Sequence, residues 1–124
     1  MHNKFIALTA IGMMAFALPA WAAGDAVAGA ATFKAKCALC HSVAAGKNGV
    51  GPSLFGVVGR PAGSAPGYNY SAANKGSGKT WDEATLDTYL ANPKALIPGT
   101  KMAFPGLPEA ADRSNVIAFL GTNK

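Results

Sequence analysis

Two thiols and an imidazole fall within five residues, Cys37-Ala38-Leu39-Cys40-His41. On a helical turn, positions three apart share a face, so both sulfurs can meet one flat object. The histidine projects about a right angle further round, where it can approach that object from one side. This spacing reads as c-type haem attachment: two thioether bonds to the porphyrin edge and an imidazole for the iron. Two other chemistries use Cys-x-x-Cys. Zinc asks for about four ligands, and the chain holds two Cys and two His in all. No second pair closes a tetrahedron. A dithiol redox pair usually opens a helix after a strand, where the helix dipole lowers the thiol pKa. Here the motif closes a helical pattern with no βαβ unit around it. Haem attachment leads, with thiol–disulfide exchange behind it.

The elements that position this motif begin after a leader. Lys4 gives a short positive start, residues 5–18 form an uncharged apolar run, Pro19 breaks it, and Ala20-Trp21-Ala22 fits a small-x-small cleavage site. That pattern predicts a secretory signal peptide over residues 1–22, leaving 23–124 as a single domain. The apolar run is too short for a membrane anchor, which needs roughly twenty residues. Cleavage would send the mature protein to the periplasm. It would also remove His2, Met1, Met13 and Met14, so His41 and Met102 would be the remaining histidine and methionine. A six-coordinate iron then has one candidate of each type, with lysine as an outside possibility. The net charge of +5, less Lys4, suits a protein that meets acidic partners. Nucleic acid is disfavoured, because no dense Lys/Arg run exists and export argues against it.

Helical signals frame the domain. Asp25 caps a helix expected to run to Ala38 or Leu39, with Val27, Ala30, Phe33 and Cys37 at helical spacing. Residues 42–78 lose periodicity to Gly, Pro, Ser and Asn; only Ser71-Ala72-Ala73-Asn74-Lys75 suggests a short helix, stopped by Gly76. So long a loop fits a small domain when the chain wraps a large flat cofactor, with Leu54, Phe55, Val57 and Val58 against the ring or the core. Thr80-Trp81-Asp82-Glu83 has the form of a capping box for a helix through Leu86, Tyr89 and Leu90. Asn92-Pro93 ends it and can start a further turn. Residues 97–102 form an irregular loop that leaves Met102 free to point inward. Pro108 and Glu109 introduce the last helix, with Val116, Phe119 and Leu120 as its apolar stripe and Gly121 as the expected C′ residue. No segment reads as a strand. The fold class predicted is all-α.

Taken together, these stretches resemble class I cytochromes c of the bacterial cytochrome c2 and mitochondrial type. Beside the Cys37–His41 motif, the likeness rests on Gly51-Pro52-Ser53-Leu54, Gly56-Val57-Val58-Gly59-Arg60, Asn92-Pro93-Lys94 and Ile97-Pro98-Gly99-Thr100-Lys101-Met102. The resemblance implies crossed N- and C-terminal helices, with short helices and long loops wrapped around one covalent haem c. It implies thioethers on Cys37 and Cys40, axial iron ligands His41 and Met102, and a Pro52 carbonyl that fixes the His41 tautomer. Arg60, Tyr70 and Trp81 would face the propionates, and Asn74, Tyr89 and Thr100 would form a polar network on the methionine side. Gly29 and Phe33 would meet Val116 and Phe119. The implied function is a soluble, monomeric one-electron carrier and not an enzyme, peripheral to the membrane, serving an electron transport chain. Its redox partners would dock at the haem edge, drawn by Lys34, Lys36, Lys94 and Lys101. Peroxidase activity after loss of Met102 is the enzyme alternative.

Overall fold

The structure is a computed structural model that describes residues 10–14 and 24–124. Apart from residues 10–14, the expected leader and its cleavage site lie outside the described residues. Five helices follow: α1 (Ala26–Lys36), α2 (Ala72–Lys75), α3 (Glu83–Ala91), α4 (Pro93–Leu96) and α5 (Ala110–Gly121). Among the described residues the only β pairing is an isolated antiparallel bridge between Pro61 and Thr80.

Small residues decide how α1 meets α5. A Cβ on Gly29 would stand 1.9 Å from the Asn115 carbonyl oxygen and 2.9 Å from Phe119 Cβ. Only a glycine lets the two backbones approach this closely. Phe33 and Phe119 then stack with ring centroids 5.4 Å apart, tilted by 52°. The Asp25 N–H donates to Asn115 Oδ1 at 2.8 Å and fixes the register of the crossing. Beneath the contact, Val116, Ile117 and Leu120 are buried with Leu86, Leu90 and Leu107. Each such side chain contributes about 1.5–3 kcal/mol when fully removed from water.

Capping explains most of the boundaries. Asp25 accepts hydrogen bonds from the Val27 and Ala28 N–H groups, Ser71 caps α2, and Asn92 caps α4 with Pro93 at its first position. Each satisfies donors that a helix start leaves unpaired. Four expectations are corrected. Helix α1 stops at Lys36, and Cys37 is its C-cap. The cap of α3 is Asp82 rather than Thr80: its carboxylate accepts from the Thr85 N–H at 2.7 Å. Thr80 is held in extended backbone, because Ala62 N–H donates to the Lys79 carbonyl and Trp81 N–H to the Arg60 carbonyl. Gly121 closes α5 from within, and Thr122 is the C-cap with an ordinary helical φ of −83°. Phe55 is 41 % exposed and so lies off the core.

Residues 42–70 are irregular yet well fastened. Ser53 is buried, and its hydroxyl donates to the Ala44 carbonyl at 2.6 Å. Asn48 accepts from the Ser53 N–H at 2.9 Å and donates to the Pro66 carbonyl at 3.0 Å, joining two stretches of loop. Gly56 N–H donates to the Asn123 carbonyl at 2.7 Å, tying this loop to the end of the chain. With these bonds in place, the loop can wall a cavity without a sheet behind it.

Candidate functional site

A cavity of about 420 Å³ lies between the loops and the helical core, lined mostly by apolar atoms. Its wall includes Cys37, Cys40, His41 and Met102, brought together from the first and last thirds of the domain. Beyond α1, the chain turns through 37–41 with Cys40 and His41 N–H groups both donating to the Cys37 carbonyl. That turn sets both thiols and the imidazole on one wall.

His41 is held by two features. Its Nδ1 lies 2.8 Å from the Pro52 carbonyl oxygen. A carbonyl only accepts, so Nδ1 carries the hydrogen and Nε2 keeps its lone pair. A Cβ on Gly51 would fall 2.3 Å from His41 Cε1 and 2.6 Å from Nδ1, so the ring packs directly on glycine backbone. Burial pushes the imidazole below its ordinary pKa; the Arg60 charge acts in the same sense and the Pro52 hydrogen bond opposes both. That shift favours the neutral ring, the form that can ligate a metal.

Burial pushes the Cys37 thiol up, and Cys40 adds to the effect. Exchange chemistry needs the opposite, a depressed pKa that yields thiolate. This disfavours a dithiol oxidoreductase.

The other predicted residues also reach this wall. Pro52, Arg60, Tyr70, Asn74, Trp81, Tyr89 and Thr100 all line the cavity. Trp81 stacks on Tyr89 with centroids 4.6 Å apart. Tyr89 Oη and Thr100 Oγ1 are 3.3 Å apart, and the Met102 N–H donates to that same Thr100 oxygen at 3.3 Å. Burial raises the Tyr89 pKa, partly offset by the Thr100 bond. Tyr70 Oη accepts from the Ala65 N–H at 3.0 Å and keeps its own hydrogen to donate. Asn74 is on the wall but makes no side-chain bond to Tyr89 or Thr100. Its Oδ1, like Arg60 Nε, is buried without a partner among the described residues.

Two residues outside the predicted set matter. Gly51 is the seat of the imidazole. Tyr68 donates to the Val50 carbonyl at 2.7 Å, packs edge-on against Tyr70, and lies under the Lys101 ammonium, 5.5 Å from the ring centre. Glycine in a glycine-rich loop gives no individual signal, and Tyr68 has no periodic pattern to mark it.

The lining fits a largely apolar group that carries some polar atoms. Orphaned buried polar atoms are rare and call for a partner, and here a guanidinium N–H and an amide oxygen both border the cavity. The sequence of residues 26–124 matches the family model for cytochrome c. This chain belongs to the cytochrome c family. It is of the class I kind that includes the cytochromes c2. Cytochrome c2 of Rhodomicrobium vannielii is 54 % identical over 121 residues, covering 96 % of each chain. Cytochrome c2 of Rhodoblastus acidophilus is 57 % identical over 103 residues, covering 82 % of this chain and 95 % of that one. Among solved structures, cytochrome cH from Methylobacterium extorquens superposes with a TM-score of 0.76 at 52 % identity, covering 80 % of this chain and 99 % of that one. Cytochromes c carry covalently attached haem c, and the two cysteines of this cytochrome suit that attachment. It is an electron-transfer haem protein rather than an enzyme. No helix among the described residues is long and apolar enough to cross a membrane.

Proposed function

We propose that this cytochrome is a diffusible one-electron carrier with a six-coordinate iron. Cys37 and Cys40 would hold the haem through thioethers, and His41 Nε2 and the Met102 sulfur would ligate its iron. The observation that carries the reading is the His41–Pro52 hydrogen bond of 2.8 Å, on the same cavity wall as both thiols and Met102. It leaves one imidazole nitrogen free, on a ring held in one orientation by that bond. Bound there, haem supplies one-electron exchange between ferrous and ferric iron; a thioether favours the ferrous state. The chain's own residues exclude water and hold both ligands, which leaves no open position for a substrate. Arg60, Tyr70 and Trp81 are assigned to the propionates. Arg60 Nε is buried without an acceptor and the Tyr70 hydroxyl keeps its hydrogen to donate, and a buried carboxylate needs such donors. Asn74, Tyr89 and Thr100 are assigned to the shell beside Met102.

Partners are taken to be redox proteins with acidic patches, met by the exposed Lys34, Lys36 and Lys94. Lys101 is engaged in the fold, its ammonium donating to the Asn69 carbonyl at 2.5 Å, so it contributes less to encounter than the other three. The carrier is assigned to the periplasm, exported through a leader cut after Ala22, as a monomer. Absorption spectra of the oxidised and reduced protein test the ligand set. A low-spin spectrum with a methionine-to-iron charge-transfer band is expected. A high-spin spectrum, or an intact mass without covalent haem, refutes it.

A further inference from the structure

The loop that bears Met102 runs from the end of α4 to the start of α5 and has two unequal parts. Its feet are fixed. Ile97 and Leu107 are buried, and the Leu107 N–H donates to the Leu90 carbonyl at 2.7 Å. Gly106, at φ +119°, sits so close to α3 that a Cβ would lie 2.2 Å from the Ala91 carbonyl oxygen. Its crest is held through Thr100, whose N–H donates to the Ile97 carbonyl at 3.1 Å, and through the Lys101 side chain, which donates to the Asn69 carbonyl, while the backbone beside Met102 is less well fixed. Residues 98 and 99 are exposed, and the Met102 N–H has only the 3.3 Å bond to Thr100.

The foot nearer α5 is gripped by Arg113. Its Nη1 donates to the Leu107 carbonyl at 2.8 Å and to the Pro108 carbonyl at 3.0 Å, while its Nε donates to Asp87 Oδ1 on α3 at 2.8 Å. The two side chains are 15 % and 28 % exposed, well short of a solvated surface pair. A guanidinium is a rigid fork, so fixing Nε also fixes where Nη1 points. Asp87 therefore orients the two bonds to the loop without touching the loop itself.

We propose that the Asp87–Arg113 pair is a latch for the methionine loop, and that its strength sets how often Met102 leaves the site while the helices stay folded. Asp87 and Arg113 are positioning residues. This rests on the assignment of Met102 as a ligand, and the test separates the two claims. In the ferric holoprotein, amide hydrogen exchange at Thr100, Met102 and Leu107 reads loop opening whatever ligates the iron. The binding rate of added imidazole reads release of the ligand. Asp87→Asn removes the charge but keeps the shape. Losing one charge-assisted bond is expected to speed both readouts by about tenfold. Arg113→Lys, which keeps the charge and loses the fork, is expected to match it, and Asp87→Glu to restore wild-type rates.

The latch is refuted if Asp87→Asn exchanges at wild-type rates, or if Val116 and Phe33 amides accelerate by the same factor, since that is loss of global stability. A wild-type spectrum without the methionine band refutes the ligand assignment instead, and the exchange data still decide the latch.

Discussion

Gly51→Ala isolates the seat of the imidazole. Gly51 does not have positive φ, so alanine can adopt its backbone and the added methyl group is the whole perturbation. That methyl carbon would lie 2.3, 2.6 and 2.8 Å from three atoms of the His41 ring, each far inside ordinary contact. Two responses are open. The ring can turn away and lose the Pro52 bond, worth about 0.5–1.5 kcal/mol. Alternatively the backbone can retreat, straining the bond from Gly51 N–H to the Cys40 carbonyl at 2.8 Å. Overpacking itself costs about 1–3 kcal/mol. The sum is about 1.5–4.5 kcal/mol, a large share of the 5–15 kcal/mol that holds a typical domain together. Guanidinium unfolding of the holoprotein, followed through the haem absorption and through tryptophan fluorescence, measures it. Gly46→Ala is the control: it has positive φ, at +69°, but nothing within 4 Å of a Cβ. Its cost is expected to stay near 1 kcal/mol. Equal stability of Gly51→Ala and Gly46→Ala would refute the argument that the ring rests on the glycine.

Gly29→Ala would drive a methyl group to 1.9 Å from the Asn115 carbonyl oxygen; parting α1 from α5 is expected to cost at least about 3 kcal/mol, read as a lower denaturation midpoint. The raised Tyr89 pKa means the folded state holds its proton longer than the unfolded one. That contribution is whole below pH 10 and declines as pH rises through the folded value, so Tyr89→Phe should flatten the loss of stability in alkaline titrations. A chain unable to take up haem, Cys37→Ala with Cys40→Ala, would have to sustain a cavity of about 420 Å³. At about 24 cal/mol per Å³ this approaches 10 kcal/mol, and calorimetry should find no cooperative transition. Lys36→Gln with Lys94→Gln should slow reduction by an acidic partner at low salt and converge with wild type at high salt.

Much of the fold was legible because the signals were local. Asp25 and Asn92 cap the helices they were expected to cap, Ser71 caps the short helix it was expected to begin, and the Cys37–His41 spacing pointed to haem attachment. The misreadings share a cause in distant contacts. Thr80 loses the cap of α3 because pairing with the Pro61 region holds it extended, a partner nineteen residues back that no window reveals. Phe55 faces outward because its loop is set by Asn123 and Ser53. Within the site, every residue expected on the wall is there, yet the glycine under His41 and the aromatic ring beneath Lys101 answer to geometry alone. The Asp87–Arg113 pair likewise joins two helices across twenty-six positions, a separation at which charge pattern carries no message.

The meeting of the first and last helices has a consequence for how the molecule is made. Asp25 finds Asn115 across ninety positions, and entropy penalises so wide a closure before any contact rewards it. A polypeptide emerging from the ribosome with its amino end first holds Gly29 and Phe33 ready, with nothing to receive them. Their mate is synthesised some ninety positions later. The crossing of α1 and α5 thus forms only once α5 is present, and a chain terminated upstream of α5 leaves the face of Gly29 and Phe33 without its partner.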